Sequence, residues 1–335
     1  MKAYVIADGK GLDALQLRDR EIPKPGPGEI LVRMKASAIN YRDFLTISFA
    51  SSRGITEERI PNSDGAGIVE EVGVGVTAFK SGDRVVGCFF QDWIGGSITE
   101  RTMASALGGP IDGVLAEYAV FKEDGALPMP EHMSFEEAST LPCAALTAWN
   151  CLIEKGGATA GSTALLLGTG GVSIFALQMA KASGIRTIVT SSSDEKLARV
   201  KEMGASDVIN YRTTPDWEHR VKELTGGNGV DVVVEVGGAG TLAKSVESVR
   251  VGGTISLVGV LTGGQIDPTS IMRKSICLQG IYVGPKNMFK KMNAALVHND
   301  IHPVIDKVVA FKDAKKAYEL MQSGAHFGKI VIAMP

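Results

Sequence analysis

The chain is poor in the residues that most often mark a metal or redox centre. Its 335 residues include four cysteines and five histidines. Cys88, Cys143, Cys151 and Cys277 are scattered and none forms a C-x-x-C pair, so no zinc knuckle or dithiol redox motif is written locally. The opening Met1-Lys2-Ala3-Tyr4-Val5-Ile6 reads as a strand and has neither the apolar core nor the cleavage site of an export signal. Reduced thiols and a cytoplasmic location are therefore expected. Among the histidines only His298 and His302 stand at helix-like separation. Asn299 to His302 reads as a helix end before Pro303, so both are expected at the surface. No Ser-His-Asp or Cys-His spacing suggests a nucleophile. Excess charge of one sign is also missing. A net charge of −2 argues against broad contact with nucleic acid or anionic membrane. No apolar run approaches the roughly 18 residues a membrane span needs. Repeats, low-complexity tracts and flexible linkers are absent as well.

Glycine is plentiful, with 40 residues, and that implies many turns and close backbone approaches. The length suggests two domains, each able to bury its own core. The most informative stretch runs from Thr163 to Ser193. Ala164-Leu165-Leu166-Leu167 reads as a buried strand, and Gly168-Thr169-Gly170-Gly171-Val172-Ser173 as a glycine-rich turn. Ile174 to Ala182 repeats apolar residues at helical spacing, and Thr187-Ile188-Val189-Thr190 forms a second strand. This strand-turn-helix-strand order fits a dinucleotide-binding unit. Gly168, Gly170 and Gly171, with Val172, would let the backbone approach a pyrophosphate at the helix N-terminus. The last fingerprint position is Ser173 rather than glycine, which predicts tighter helix–strand packing with binding retained.

The end of the second strand selects the cofactor. An NAD site usually places a carboxylate about 20 residues after the glycine turn. Here the chain reads Thr190-Ser191-Ser192-Ser193, with no carboxylate before Asp194. Hydroxyls of Ser191 and Ser192 can donate to a 2′-phosphate, whereas a carboxylate would repel it. Lys196 follows one turn later, and Tyr211 closes the next strand on the same edge. NADPH is therefore expected over NADH.

The first 125 or so residues read as mainly β, with strands at Ile30 to Met34, Gly67 to Val72 and Asp83 to Gly87 between Pro and Gly turns. From Pro130 to Gly284 helix and strand alternate, which implies a parallel, doubly wound sheet. A helix from Ser134 to Ile153 opens with a capping box, Ser134 and Glu137. Further strands are expected at Val230 to Val236, Thr254 to Val258 and Ile276 to Val283. Helices follow around Phe289 to His298 and Ala314 to Gln322. The closing strand, Lys329 to Ile332, is expected to return to the first domain.

Several stretches, in this order and spacing, resemble the medium-chain dehydrogenase/reductase superfamily over nearly the whole chain. They are Pro25-Gly26-Pro27-Gly28-Glu29-Ile30, Gly65-Ala66-Gly67-Ile68-Val69, Val76 to Val85, Leu115-Ala116-Glu117-Tyr118, Gly170-Gly171-Val172 and Gly204-Ala205-Ser206-Asp207. The resemblance implies an α/β protein with a GroES-like β-rich catalytic domain plus a doubly wound Rossmann domain. It places the first at residues 1–128 and 285–335, the second at 129–284, and the active site in the cleft between them. Many members are zinc alcohol dehydrogenases, so the ligand positions matter. Asn40 stands at the family's first cysteine, Tyr41 at the histidine beside it, Ser63 at the histidine of a Gly-His-Glu motif, and only Cys143 keeps a ligand type. No cysteine lies between Cys88 and Cys143, so the four-cysteine structural lobe is missing too. A catalytic zinc needs three protein ligands. The chain therefore looks like the zinc-independent, quinone-oxidoreductase-like branch, in which Lys196 and Tyr211 resemble the residues that receive the 2′-phosphate.

Without zinc, side chains must orient the substrate. Asn40 can hydrogen-bond a carbonyl or the nicotinamide ribose. Tyr41 and Arg42 can donate to a developing oxyanion, although Arg42 can instead pair with Asp43. Thr147, one helical turn beyond Cys143, is placed to touch the nicotinamide. Phe49, Phe89, Phe90 and Trp93 are either pocket lining or core. These residues point to hydride transfer from NADPH to a quinone or α,β-unsaturated carbonyl. Alcohol dehydrogenase or aldehyde reductase chemistry is the alternative, and a non-catalytic NADPH-binding or redox-sensing protein is one of another class. The apolar run Leu278 to Val283 reads as the last strand of the Rossmann sheet, and hence an edge through which a homodimer would form.

Overall fold

A computed structural model gives the structure of residues 1–7 and 11–335. The chain forms two compact units, residues 1–146 with 283–335, and residues 147–282.

The first unit is β-rich. Its main sheet runs in the order Ile305–Ala310, Lys329–Ala333, Glu29–Ile39, Asp64–Val72, Arg84–Gly87, Ala126–Pro128, with Tyr118–Lys122 also pairing with Glu29–Ile39. The central strand, Glu29–Ile39, follows the period-2 rule only in part. Ile30, Val32 and Met34 face the main core beside Ile330 and Ile332, whereas Ala36 and Ala38 face a smaller cluster with Val331. A register shift between Met34 and Ala36 explains the exchange of faces, since one extra residue turns the following side chains over. The closing strand does return to this sheet, pairing antiparallel with Glu29–Ile39.

The Ser134 capping box is present, with Ser134 N–H donating to Glu137 Oε2 at 2.8 Å and Glu137 N–H to Ser134 Oγ at 3.2 Å. The long helix expected after it is not continuous. Regular α-helix covers Phe135–Ala138 and Leu146–Trp149, and wider π turns occupy Leu141–Ala145 and Asn150–Glu154. Pro142 has no N–H to give, which interrupts the ladder. Phe135–Ala138 packs on the strands Glu29–Ile39 and Asp64–Val72, so the first unit extends to Leu146 rather than ending after residue 128.

The second unit holds six strands, all paired parallel, in the order Asp207–Asn210, Arg186–Ser191, Thr163–Leu167, Val230–Glu235, Val249–Leu257, Cys277–Gly280. In chain order this is 3-2-1-4-5-6, the doubly wound Rossmann arrangement, whose direction reverses between Thr163–Leu167 and Val230–Glu235. Fully buried Leu165, Ile188, Val233 and Ile255 carry the core; each such side chain contributes about 1.5–3 kcal/mol by leaving water. The last strand is the sheet edge. It is shorter than the apolar run suggested: it ends at Gly280, and Val283 sits at φ 57°, outside the extended region. Among the described residues no helix is long and apolar enough to cross a membrane.

Candidate active site and cofactor site

In the Rossmann unit the glycine turn leaves the carboxyl end of Thr163–Leu167, at the point where strand order reverses. Gly168 adopts φ 72°, a conformation that favours glycine. Gly170 is the N-cap of the helix Gly171–Ala182, and Val172 lies in its first turn. A Cβ added at Gly168 or Gly170 would meet nothing within 4 Å, so the turn faces open space in front of a helix N-terminus. Ser173 is buried and donates its hydroxyl to Leu167 O at 2.6 Å, tying the helix to the strand.

Ser191 ends the strand Arg186–Ser191. Its Oγ accepts from Ser193 N–H at 3.3 Å, and its carbonyl accepts from Tyr211 N–H at 3.0 Å. Ser193 caps the next helix by accepting from Lys196 N–H at 3.3 Å. These bonds bring Ser191, Ser192, Lys196 and Tyr211 to one edge of the sheet. Asp194, the first carboxylate after the strand, is engaged by Asn210 Nδ2 at 2.7 Å. Thr147 is buried at the start of this unit.

Sequence reasoning missed Glu235, which is fully buried at the end of Val230–Glu235. Its Oε1 accepts from Gly237 N–H at 2.7 Å, Gly238 N–H at 3.0 Å and Thr241 Oγ1 at 2.6 Å, and its Oε2 from Ser245 Oγ. The carboxylate thereby fixes the turn across the switch point from the glycine loop.

In the catalytic unit, strand Glu29–Ile39 delivers Asn40 to the N-cap of the helix Tyr41–Ser48, where its N–H donates to Asp43 Oδ2 at 2.8 Å. Arg42 Nη1 donates to Asp43 Oδ1 at 3.0 Å and to Leu107 O at 2.7 Å, and the guanidinium lies 4.9 Å from the Phe89 ring centroid. Arg42 is thus held by protein groups, the pairing that its neighbour Asp43 permits. The Tyr41 ring packs 5.9 Å from Phe44, and its hydroxyl makes no hydrogen bond among the described residues. Phe89, Phe90 and Trp93 are a buried edge-on stack, with centroids 4.7 Å and 5.5 Å apart, and so belong to the core; Phe49 is exposed.

The centre of this site is a group that sequence reasoning did not single out. Lys329 is 3% exposed, and its Nζ donates to Asn40 Oδ1 at 2.6 Å and to Ile39 O at 2.7 Å. An ammonium only donates, so the oxygen of the Asn40 amide must face it. Asn40 Nδ2 is then buried with no acceptor within hydrogen-bond distance, and faces the Asp64 carboxyl at longer range. Asp64, fully buried, accepts from Ser63 Oγ at 2.6 Å and from Cys143 N–H at 3.1 Å. Burial pushes its carboxyl up to about 6; the Lys329 charge and the Ser63 and Asn40 contacts oppose this, and Asp43 adds to it. Burial pulls the Lys329 ammonium below its usual range, against the charges of Asp64 first and Asp43. The Cys143 thiol is pushed up by burial first and by Asp64 next. Asn62, at φ 70°, donates Nδ2 to Ser37 Oγ at 3.0 Å and accepts from the buried Tyr318 hydroxyl. Asn40, Ser63 and Cys143, distant in sequence, thus gather around Asp64 and Lys329.

Residues 26–131 match the family of the alcohol dehydrogenase GroES-like domain, and residues 171–299 that of the zinc-binding dehydrogenase. A zinc-type alcohol dehydrogenase-like protein of Schizosaccharomyces pombe is 42% identical over 98% of both chains. The chain belongs to the medium-chain dehydrogenase/reductase superfamily. It is an oxidoreductase of that superfamily, and its relatives include the quinone oxidoreductase of Rattus norvegicus, 28% identical over 100% of this chain and 98% of the other. Two solved structures share the fold over almost all of both chains. An NAD-dependent alcohol dehydrogenase is 32% identical with a TM-score of 0.91, covering 100% of each chain. The mycobacterial protein Rv1454c, complexed with NADPH, is 27% identical with a TM-score of 0.84, covering 99% of each. The superfamily's glycine of Gly-His-Glu is Asn62 here. Its positive φ accounts for a glycine at that position, and asparagine tolerates the same conformation.

The two histidines expected at the surface, His298 and His302, are both exposed. His298 ends the helix Lys286–His298. His302 is half-exposed, contacts Glu137 Oε1 through Nδ1 at 2.8 Å, and lies 3.6 Å from Asp300 Oδ1 through Nε2. His132, Asp300 and His302 each bring a ligand atom within 4.8 Å of the others. The Glu137 contact raises the His302 pKa, which favours an ion pair over a neutral imidazole.

Proposed function

We propose that the chain is an NADPH-dependent, zinc-independent reductase that delivers hydride to a quinone or an α,β-unsaturated carbonyl. One observation carries this reading: the oxygen of Asn40, at the family's first ligand position, is occupied by the Lys329 ammonium at 2.6 Å. The second ligand position, Ser63, gives its hydroxyl to Asp64. A divalent ion placed there would meet a fixed positive charge and a single thiol, Cys143, whose proton is held tightly. The donor set does not fit zinc.

The turn at Gly168 to Val172 and the edge formed by Ser191, Ser192, Lys196 and Tyr211 fit NADPH. Hydroxyls and a lysine offer charge-assisted hydrogen bonds to a 2′-phosphate, and the nearest acid, Asp194, is turned to Asn210. The bound nicotinamide supplies the hydride. The protein's part is to position the acceptor and polarise its carbonyl. Tyr41 is the donor placed for that task, its hydroxyl being uncommitted. Arg42 serves through Asp43 and the Leu107 carbonyl, which hold the start of the helix bearing Tyr41. The names of the NAD-dependent and zinc-type relatives favour a second reading, reduction of simple aldehydes. An NADPH-consumption screen over quinones, enones, enoyl thioesters and aldehydes, with product analysis, separates the two. Turnover confined to aldehydes replaces the first reading by the second, and binding without turnover leaves a sensor.

A further inference from the structure

Lys329 poses a physical problem. A fully buried ammonium is costly to take out of water unless it is paired. Here its hydrogen-bond acceptors are neutral, an amide oxygen and a backbone carbonyl. Among the described residues no carboxylate lies within 4.0 Å of it. Asp64, Asp43 and the Cys143 thiol face it from longer range, on the strand Asp64–Val72, the helix Tyr41–Ser48 and the turn Leu141–Ala145. Its charge is offset mainly by Asp64, without a contact ion pair. The contact with Asn40 also fixes which way that amide points and leaves Nδ2 a buried donor with no acceptor in hydrogen-bond range, Asp64 being the carboxyl that faces it. Such a donor is costly to bury unless a ligand atom answers it. A buried ammonium without a contact ion pair, next to a buried donor without an acceptor in hydrogen-bond range, is a feature of a reaction site more than of a structural core.

We infer that Lys329 is the fixed cation of this site, a positioning residue that orients the Asn40 amide and supplies from the chain itself the positive charge that draws electron density onto the reacting carbonyl. The inference rests on the reductase reading. A metal-dependent site obtains that charge from its ion. Here the strand Lys329–Ala333 carries it, and it costs no reorganisation because the ammonium is already desolvated and held at two points.

The test uses the full chain with NADPH and the best acceptor of the screen. Removing Lys329 alone leaves Asp64 unbalanced, so the key protein is the double variant K329M/D64N, which removes both charges at near-constant volume. We expect it to fold with a near wild-type melting temperature, to bind NADPH with an unchanged dissociation constant, and to lose about 100-fold in kcat with little change in KM, the size of effect seen when an oxyanion donor is removed. K329R, which restores the charge, should recover about tenfold of that loss. A double variant with wild-type turnover overturns the inference, and so does one that cannot fold, since Lys329 would then be a structural cation only. A folded K329R no faster than the double variant counts against the charge and also overturns it. Wild-type protein that binds NADPH but reduces no acceptor of the screen is a different result: it overturns the reductase reading itself.

Discussion

Ser173 gives its hydroxyl to the carbonyl of Leu167 at 2.6 Å, joining the first turn of the Rossmann helix to the end of the strand before it. In most dinucleotide folds a glycine at this position lets the two elements close up. Here a buried side chain fills the gap and supplies a bond the glycine could not. Ser173→Ala should lower the unfolding free energy by about 1 kcal/mol, the net worth of one such bond, with NADPH affinity changed by less than about threefold. Urea denaturation and a fluorescence titration measure the two, and a large loss of affinity with unchanged stability would contradict the assignment.

NADPH should bind far more tightly than NADH. Each charge-assisted contact to the 2′-phosphate from the Ser191, Ser192, Lys196 and Tyr211 edge is worth about 1.5–3 kcal/mol. Ser191→Asp places a carboxylate at the end of the buried strand and should reverse the preference. Equal dissociation constants of the wild-type protein for the two cofactors would refute it.

Activity should survive chelators, and no zinc should be retained through Asn40, Ser63 and Cys143. Elemental analysis after dialysis against a chelator, paired with the acceptor assay, checks both. Zinc at one per chain, lost together with turnover, would reverse the reading.

Asp64 gives stability an unusual pH dependence. Its folded pKa, about 6, lies above the ordinary value of 3.8. Between those limits the folded state holds more protons on this group than the unfolded state. Its contribution to stability is therefore greatest at the acid end, falls as pH rises from about 4 to about 6, and is constant above. The difference in unfolding free energy between wild type and Asp64→Asn isolates this group. It should shift against wild type across that window, and a flat difference would show that Asp64 titrates normally.

A homodimer is expected through the edge strand Cys277–Gly280. The strand has one neighbour, Val249–Leu257, and its other side is an unpaired edge. Leu278 is half-buried and Tyr282, just beyond, is exposed. A two-fold axis would pair this edge with its copy and extend the sheet. Light scattering at micromolar concentration should give twice the chain mass, and Ile281→Lys should halve it. A wild-type monomer, or a dimer indifferent to Ile281→Lys, would place the interface elsewhere or nowhere.

The parts of this protein that were legible in sequence are those whose cause is local. The glycine turn, the serine run after Thr190 and the Ser134 capping box each act within a few residues, and each stands where the pattern put it. The helix expected from Ser134 to Ile153 rests on its capping box, which says nothing of Pro142 removing a donor two turns on. The edge strand was drawn too long because the apolar run continues past Gly280, where the backbone turns. Lys329 escaped notice for another reason. It opens an apolar strand and looks like an ordinary charged strand end, and its partner Asn40 is 289 residues away. Glu235 likewise looks like a polar strand terminus until its donors at Gly237, Gly238, Thr241 and Ser245 are assembled.

The strand Lys329–Ala333 has a consequence for the order in which the protein can be made. The Rossmann unit is continuous in sequence, whereas the catalytic sheet is discontinuous and needs Lys329–Ala333, made after that unit, beside Glu29–Ile39. During synthesis, domains fold as their residues emerge. The nucleotide-binding half can therefore mature while the other half still lacks both a central strand and its only buried ammonium among the described residues. The buried contact between Lys329 and Asn40 therefore forms only after the whole Rossmann unit has been made.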